Sequence, residues 1–182
     1  MHMFIGILLI TVAVFALIGV AFINQASFGK LPQGKRLERI RQSPHYKDGV
    51  FQNLHETVMM TSDKSRFRSI LDFLFRKVEG LRPEKEIPVI KTNLRGISNS
   101  QDVLVWFGHS SYLIQIDGKR MLVDPVFCMA SPVSFVNKPF PATYAYRPND
   151  MPDIDYLIIT HDHWDHLDYG TVTALKNRVG KV

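Results

Sequence analysis

The chain has 182 residues, of which 46% are hydrophobic and 21% charged, with a formal net charge of +5. That balance excludes an intrinsically disordered chain and supplies enough apolar side chains for one domain with a real core. The single cysteine, Cys128, excludes an intrachain disulfide framework and fits a reducing compartment.

Met3 to Ile23 is an uncharged run, apolar on every face and long enough to cross the ~30 Å hydrocarbon layer as a helix. A cleaved signal peptide would open with a basic segment and end at a small-residue cleavage site, and neither is evident. Residues 1–23 are therefore expected to form a transmembrane anchor. Lys30, Lys35, Arg36, Arg39 and Arg41 follow at once, with nothing comparable before the span. The positive-inside rule then places the rest of the chain on the cytoplasmic side, where such residues also attract anionic headgroups by ~1 kcal/mol each.

Residues 24–86 read as a linker arm carrying an amphipathic helix. A short helix over Lys35 to Gln42 is ended by Pro44. A second, over Ser65 to Leu81, is predicted from Phe67, Ile70, Leu71, Leu74, Phe75, Val78 and Leu81 at three- and four-residue steps, with Asp63 or Ser62 as its cap. Arg66, Arg68, Arg76 and Lys77 lie mostly off that stripe, which either packs on the domain or rests on a membrane surface. His45 and His55 each stand alone, with local roles expected.

From Ile87 the pattern becomes β, so residues 87–182 form the folded domain and the chain as a whole is α+β. An edge strand over Pro88 to Lys91, a loop over Arg95 to Gln101 and a buried strand over Val103 to Phe107 are expected. Strands Ser111 to Ile116 and Arg120 to Val123 flank Asp117-Gly118, a strong hairpin signal, and deliver Asp124 to their far end. Phe127 to Pro152 is a long Pro- and aromatic-rich loop whose Phe135, Phe140, Tyr144 and Tyr146 either line an apolar substrate groove or cover the sheet edge. Tyr156 to Thr160 reads as a buried strand. Asp168 is a good N-cap for a helix over Tyr169 to about Asn177, with Gly180 as its stop.

Between that strand and that helix lies His161-Asp162-His163-Trp164-Asp165-His166, spaced His-x-His-x-Asp-His. Imidazole and carboxylate suit zinc and similar divalent ions. In extended backbone His161 and His163 point the same way and can share one ion. Asp165 and His166, past a bend, reach toward a second. Two metals ~3.5–4 Å apart can activate a hydroxide and stabilise both oxygens of a phosphoryl displacement. Nucleic acid is not an expected partner: the basic residues follow the span and are not interleaved with a stacking platform.

Three segments together carry a resemblance: Trp106-Phe107-Gly108-His109-Ser110-Ser111, Leu122-Val123-Asp124-Pro125-Val126-Phe127, and the run from His161 to Tyr169. They resemble the metallo-β-lactamase superfamily, in the branch containing N-acylphosphatidylethanolamine-hydrolysing phospholipase D. The likeness covers about Val103 to the C-terminus. It implies a four-layer αββα sandwich of two similar halves, of which residues 87–182 supply the N-terminal half. It implies two zinc ions, or other divalent metals, with His161 and His163 on one and Asp165 and His166 on the other. Asp165 also orients the nucleophile, Asp124 supports the ligands from behind, and His109 lies near the site. The implied activity is hydrolysis of a phosphodiester in a membrane phospholipid, with membrane lipid as partner.

A lactonase-type hydrolase of the same superfamily and a non-catalytic membrane-anchored remnant are the alternatives. In the family a later His, a bridging Asp and a last His complete the metal sites, and no residue here matches them. The chain is therefore expected to be a truncated or split product needing a complementing second half. Weak metal binding, slight or absent hydrolysis and exposed apolar sheet surface are expected with it.

Overall fold

The computed structural model describes residues 2–58, 63, 65–76, 78–133, 140 and 145–182. The chain separates into two compact units, Met1–Glu79 and Gly80–Val182.

In the first unit, helix α1 (His2–Ile23) is long and apolar enough to cross a membrane, and its large apolar side chains lie exposed. Helix α2 (Gly34–Arg41) starts one residue before the predicted segment. Strands β1 (Tyr46–Lys47) and β2 (Val50–Phe51) form a small hairpin that the hydrophobic pattern does not announce. It turns on Asp48 at φ 54° and Gly49 at φ 83°, the left-handed pair that an Asp-Gly dipeptide supplies to such turns. The Tyr46 and Phe51 rings meet edge to face across it, 5.1 Å apart.

Helix α3 (Arg66–Phe75) is shorter than predicted. Its cap is Ser65, whose Oγ accepts the Arg68 N–H at 3.3 Å, in place of Asp63; Ser62 and Lys77 lie outside the described residues. Arg76 is already extended, so Val78 and Leu81 fall beyond the helix. Phe67, Phe73, Leu74 and Phe75 are exposed. The apolar stripe runs past Phe75, but a short helix draws most of its stability from a packed face, and no residue of α3 is buried.

The second unit is built on a five-stranded mixed sheet. Strands β3 (Val103–Gly108), β4 (Ser111–Ile116) and β5 (Lys119–Val123) run antiparallel in sequence order. Strand β6 (Ile154–Ile158) pairs parallel to β5, and β7 (Val179–Lys181) parallel to β6. The long 124–153 connection makes the first parallel crossover. Helix α4 (Tyr169–Leu175) and a 3-10 turn over Lys176–Arg178 make the second. The hairpin between β4 and β5 turns on Asp117 and Gly118, both at positive φ, as their sequence predicts. Gly180, expected to stop the helix, instead sits within β7. A Cβ there would meet the Asp155 carbonyl at 3.0 Å, so glycine permits the close pairing of β6 and β7.

One face of the sheet carries the core. Val105, Leu113, Leu122 and Leu157 align across β3 to β6 and pack with Leu94, Phe127, Tyr146, Met151, Ile154 and Leu175. Tyr146, in the loop expected either to line a groove or to cover the sheet edge, belongs to this core. Its ring lies edge to face on Phe107, 4.9 Å away, and its hydroxyl accepts the Thr92 N–H at 2.8 Å. Phe135 and Tyr144 lie outside the described residues, while Phe140 is exposed.

The opposite face aligns Leu104, Ile114, Met121 and Tyr156 in one row, with Leu104 66% and the nearby Trp106 65% exposed. The strand expected to be buried is thus covered on one face only: Leu157 is buried, and Tyr156 and Ile158 are open. This is the exposed apolar sheet surface that the sequence leads one to expect.

Residues 88–91 form no strand. Pro88 lacks an N–H, and this segment is held by side chains in place of a ladder. Lys91 Nζ pairs with Asp150 at 3.1 Å. Arg95 reaches the Met151 carbonyl at 3.1 Å and also the Asn149 carbonyl.

Asp155 ties β5 to β6. Its carboxylate accepts the Arg120 backbone N–H at 2.9 Å and the Lys119 ammonium at 3.0 Å, and these bonds hold its pKa below the usual carboxylate range. A lowered folded pKa stabilises the fold above the unfolded value, about 3.9, and the contribution disappears as pH falls through the folded value. Asp155→Asn is therefore expected to flatten the acid limb of melting temperature against pH below about pH 4, measured by circular dichroism. Leu113→Ala, in the core row, is expected to cost about 2–5 kcal/mol in urea unfolding, and Leu104→Ala, on the open face, about 0.5 kcal/mol or less.

Candidate metal centre

Strands β3, β5 and β6 all run in one direction, and their carboxyl ends deliver His109, Asp124 and the Thr160–His166 turn to the same end of the sheet. Carboxyl ends of strands are where open sheets characteristically bind ligands, because the chain there is free to turn outward from a fixed base.

Asp124 is the hub. It is 1% exposed and sits at φ 41°, a conformation that Asp tolerates better than most residues. Its N–H continues the parallel ladder to the Ile158 carbonyl at 2.9 Å. Oδ1 accepts the Thr160 N–H at 2.8 Å. Oδ2 accepts the Thr160 hydroxyl at 2.6 Å and His166 Nδ1–H at 2.8 Å. Burial pushes the carboxyl pKa up, but the bonds from His166 and Thr160 outweigh it and hold Asp124 below the usual carboxylate range. Ser111 locks the backbone here: its hydroxyl donates to the Asp124 carbonyl at 2.6 Å and accepts the Val126 N–H at 3.2 Å.

These contacts set the imidazole tautomers. His166 spends Nδ1–H on Asp124, leaving the Nε2 lone pair free. Thr160 has one hydroxyl hydrogen, committed to Asp124, so the 3.0 Å contact between His161 Nδ1 and Thr160 Oγ1 makes His161 Nδ1 the donor. His161 then also keeps Nε2 free. A carboxylate behind a histidine, fixing its tautomer and raising its basicity, is the arrangement that metal-binding imidazoles use.

Of the predicted residues, Asp165 and His166 converge with His109, and the His161 and His163 rings lie beside them without joining that set. The His161 ring centroid lies 3.8 Å from that of His166 and 4.6 Å from that of His163. Asp165 Oδ2 lies 4.0 Å from His166 Nε2 and 3.0 Å from His109 Nε2. His109, Asp165 and His166 present ligand atoms all within 4.8 Å of one another. The turn closes with the His166 and Leu167 N–H groups on the His163 carbonyl, at 3.0 and 2.7 Å.

Asp168 anchors the far side of the turn. Its Oδ1 caps α4 by accepting the Gly170 N–H at 3.0 Å, as its sequence predicts. Its Oδ2, facing the loop after β5, accepts the N–H groups of Phe127, Cys128 and Met129, at 3.2, 2.7 and 3.3 Å, and the Thr171 hydroxyl at 2.5 Å. Beside it an open cleft of about 320 Å³ is bounded by Ala130, Ser131 and Pro132 on one side and by Asp162, His163, Trp164 and Asp165 on the other.

Sequence reasoning passed over Thr160, the residue that links Asp124 to two imidazoles. Its signal was position alone: a hydroxyl at the strand end, next to the first histidine. The donor set as a whole suits a borderline divalent ion, with free Nε2 atoms on two histidines, a partly exposed carboxylate and an ionised carboxylate behind them.

Comparison with known proteins agrees with this chemistry. Residues 103–180 match a family described as "Beta-lactamase superfamily domain". An uncharacterized protein of Mycobacterium tuberculosis is 39% identical over 137 residues, covering 74% of this chain and 36% of that protein. N-acyl-phosphatidylethanolamine-hydrolyzing phospholipase D 1 of Caenorhabditis elegans is 36% identical over 75 residues, 40% of this chain and 20% of its own length. A metal-dependent hydrolase of Pyrobaculum aerophilum is 37% identical over 62 residues, 34% of this chain and 23% of its own length. The chain spans about a third of the length of the mycobacterial relative. With its His-x-His-x-Asp-His turn set on the ends of a mixed sheet, the chain belongs to the metallo-β-lactamase superfamily through residues 103–180.

Proposed function

We propose that the site serves divalent-metal-dependent hydrolysis of a phosphodiester in a membrane phospholipid. The observation that carries this reading is the Asp124–His166 pair, which leaves an oriented Nε2 beside the Asp165 carboxylate at an accessible strand end. His161 and His163 would hold one ion, and Asp165 and His166 another. Bound there, divalent ions supply Lewis acidity toward a phosphoryl oxygen and lower the pKa of water. Asp124 and Thr160 hold the imidazoles, and Asp165 orients the attacking water. The cleft beside His163 and Trp164 offers room for a headgroup.

The lipid assignment draws on α1 and on the likeness to the nematode phospholipase. In this reading α1 anchors the chain, and the run from Lys30 to Arg41 keeps the remainder cytoplasmic. A lactonase is the second reading, since the same ion chemistry polarises a carbonyl.

Zinc-loaded chain in detergent micelles is expected to cleave bis-p-nitrophenyl phosphate slowly, and in preference to a lactone. Chelation or His163→Ala should return the rate to the metal-free blank, and Asp124→Asn should lower it about 10–100-fold. Lactone cleavage without phosphodiester cleavage would reverse the preference, and no metal-dependent cleavage of either would overturn the enzymatic reading. For topology, exposed Cys128, the one thiol, is expected to react with a membrane-impermeant maleimide only after the cells are permeabilised.

A further inference from the structure

We infer that His109 is a metal ligand, the third member of a site with Asp165 and His166. This rests on the metal-centred reading above and extends it: the spacing of the turn assigns Asp165 and His166 to one ion but gives that ion no further ligand.

Three observations carry it. The first is distance. His109 Nε2 lies 3.0 Å and His166 Nε2 4.0 Å from the same Asp165 oxygen. Around a four-coordinate zinc with bonds of about 2.0–2.2 Å, donor atoms sit about 3.3 Å apart. The three side chains stand within small rotamer adjustments of that spacing.

The second is how His109 is held. It occupies the tight turn between β3 and β4 at φ 47°, following Gly108 at φ 109°. The Trp106 indole N–H grips its carbonyl at 2.9 Å. The left-handed region admits histidine more readily than most residues, so this turn fixes the backbone of an imidazole at the strand end where glycine would offer no ligand.

The third is the economy of the alternative. As a plain ion pair, the His109–Asp165 contact joins side chains 60% and 40% exposed, and such pairs contribute little to stability. Its ring also lies 5.1 Å from that of His166, edge to face, so the imidazole is turned toward the other two donors. Coordination replaces the Nε2–H···Oδ2 hydrogen bond, and the imidazole proton moves to Nδ1.

Three protein ligands with a fourth position open is the make-up of a catalytic zinc site. The 182 residues therefore contain a three-ligand site for one divalent ion, drawn from the ends of β3 and β6 and backed by Asp124 at the end of β5.

The test uses the full chain in detergent micelles, titrated with Co²⁺ and with Zn²⁺ against a chromogenic chelator. The readouts are stoichiometry, affinity and the visible Co²⁺ spectrum, whose intensity and position report coordination number and nitrogen ligation. Wild-type chain is expected to bind, and His109→Asn, which suits the left-handed turn, should weaken affinity at least about tenfold and alter the Co²⁺ band. His109→Gly should behave the same, and circular dichroism should show both variants folded. Unchanged affinity and spectrum in both folded variants would overturn the His109 assignment and leave the metal-centred function standing. Absence of binding by folded wild-type chain would overturn both.

Discussion

A charge held almost entirely out of water governs this molecule. Burying an ionised carboxylate is costly unless donors surround it, and Asp124 has three: the Thr160 N–H, the Thr160 hydroxyl and His166 Nδ1–H. Each donor must come to the carboxylate, so the end of β5 dictates where the chain leaving β6 can go. Asp168 repeats the arrangement on the other side of the turn, collecting N–H groups from Phe127 to Met129 while it caps α4. The His-x-His-x-Asp-His turn is thus pinned at both ends by buried acceptors, with His161 and His163 exposed and His166 largely buried against Asp124.

Rigid support and open ligands explain one another. Had the imidazoles been satisfied by neighbours at both nitrogens, the turn would be an ordinary hydrogen-bonded loop. Asp124 and Thr160 instead occupy Nδ1 of His166 and His161, which fixes ring orientation and leaves Nε2 free. The sheet carries the same division of labour. The row Val105, Leu113, Leu122 and Leu157 closes the core, and the row Leu104, Ile114, Met121 and Tyr156 remains open. Stability comes from the first face. The second is apolar surface of the kind that marks an interaction site or an aggregation hazard.

What could be read in advance depended on how local the cause was. Asp117-Gly118 announced its turn because only small left-handed residues fit there, and Asp168 announced its helix because capping needs one side chain and one turn. Asp48-Gly49 carried the same signal and went unread, because its flanking strands are two residues each and show no alternation. Pro88 to Lys91 had strand-like composition but no partner, and pairing is not a property of one segment. The stripe in α3 overstated the helix because periodicity records spacing and says nothing of a surface to bury it. In the site, the spacing of the turn singles out His161, His163, Asp165 and His166 as candidates, because they are neighbours in sequence. Thr160 was not, because its role exists only once β5 and β6 are neighbours. His109 stands 56 positions before Asp165, and only the parallel course of β3 and β6 brings them to one end of the sheet.

That last distance in sequence has a physical consequence. Strands β3 and β6 are not adjacent; β4 and β5 lie between them. The sheet therefore connects His109 to the histidine turn only through three ladders, and any fraying of β3, an edge strand, moves His109 away from Asp165. An ion gripping both would close a loop that the backbone bonds leave open, adding a cross-link between the edge and the centre of the sheet. Binding to the folded arrangement alone stabilises it by mass action, more strongly as the ion exceeds its dissociation constant. In this molecule the groups suited to chemistry would also fasten one edge of the sheet, so metal affinity and the hold on that edge are linked through one equilibrium.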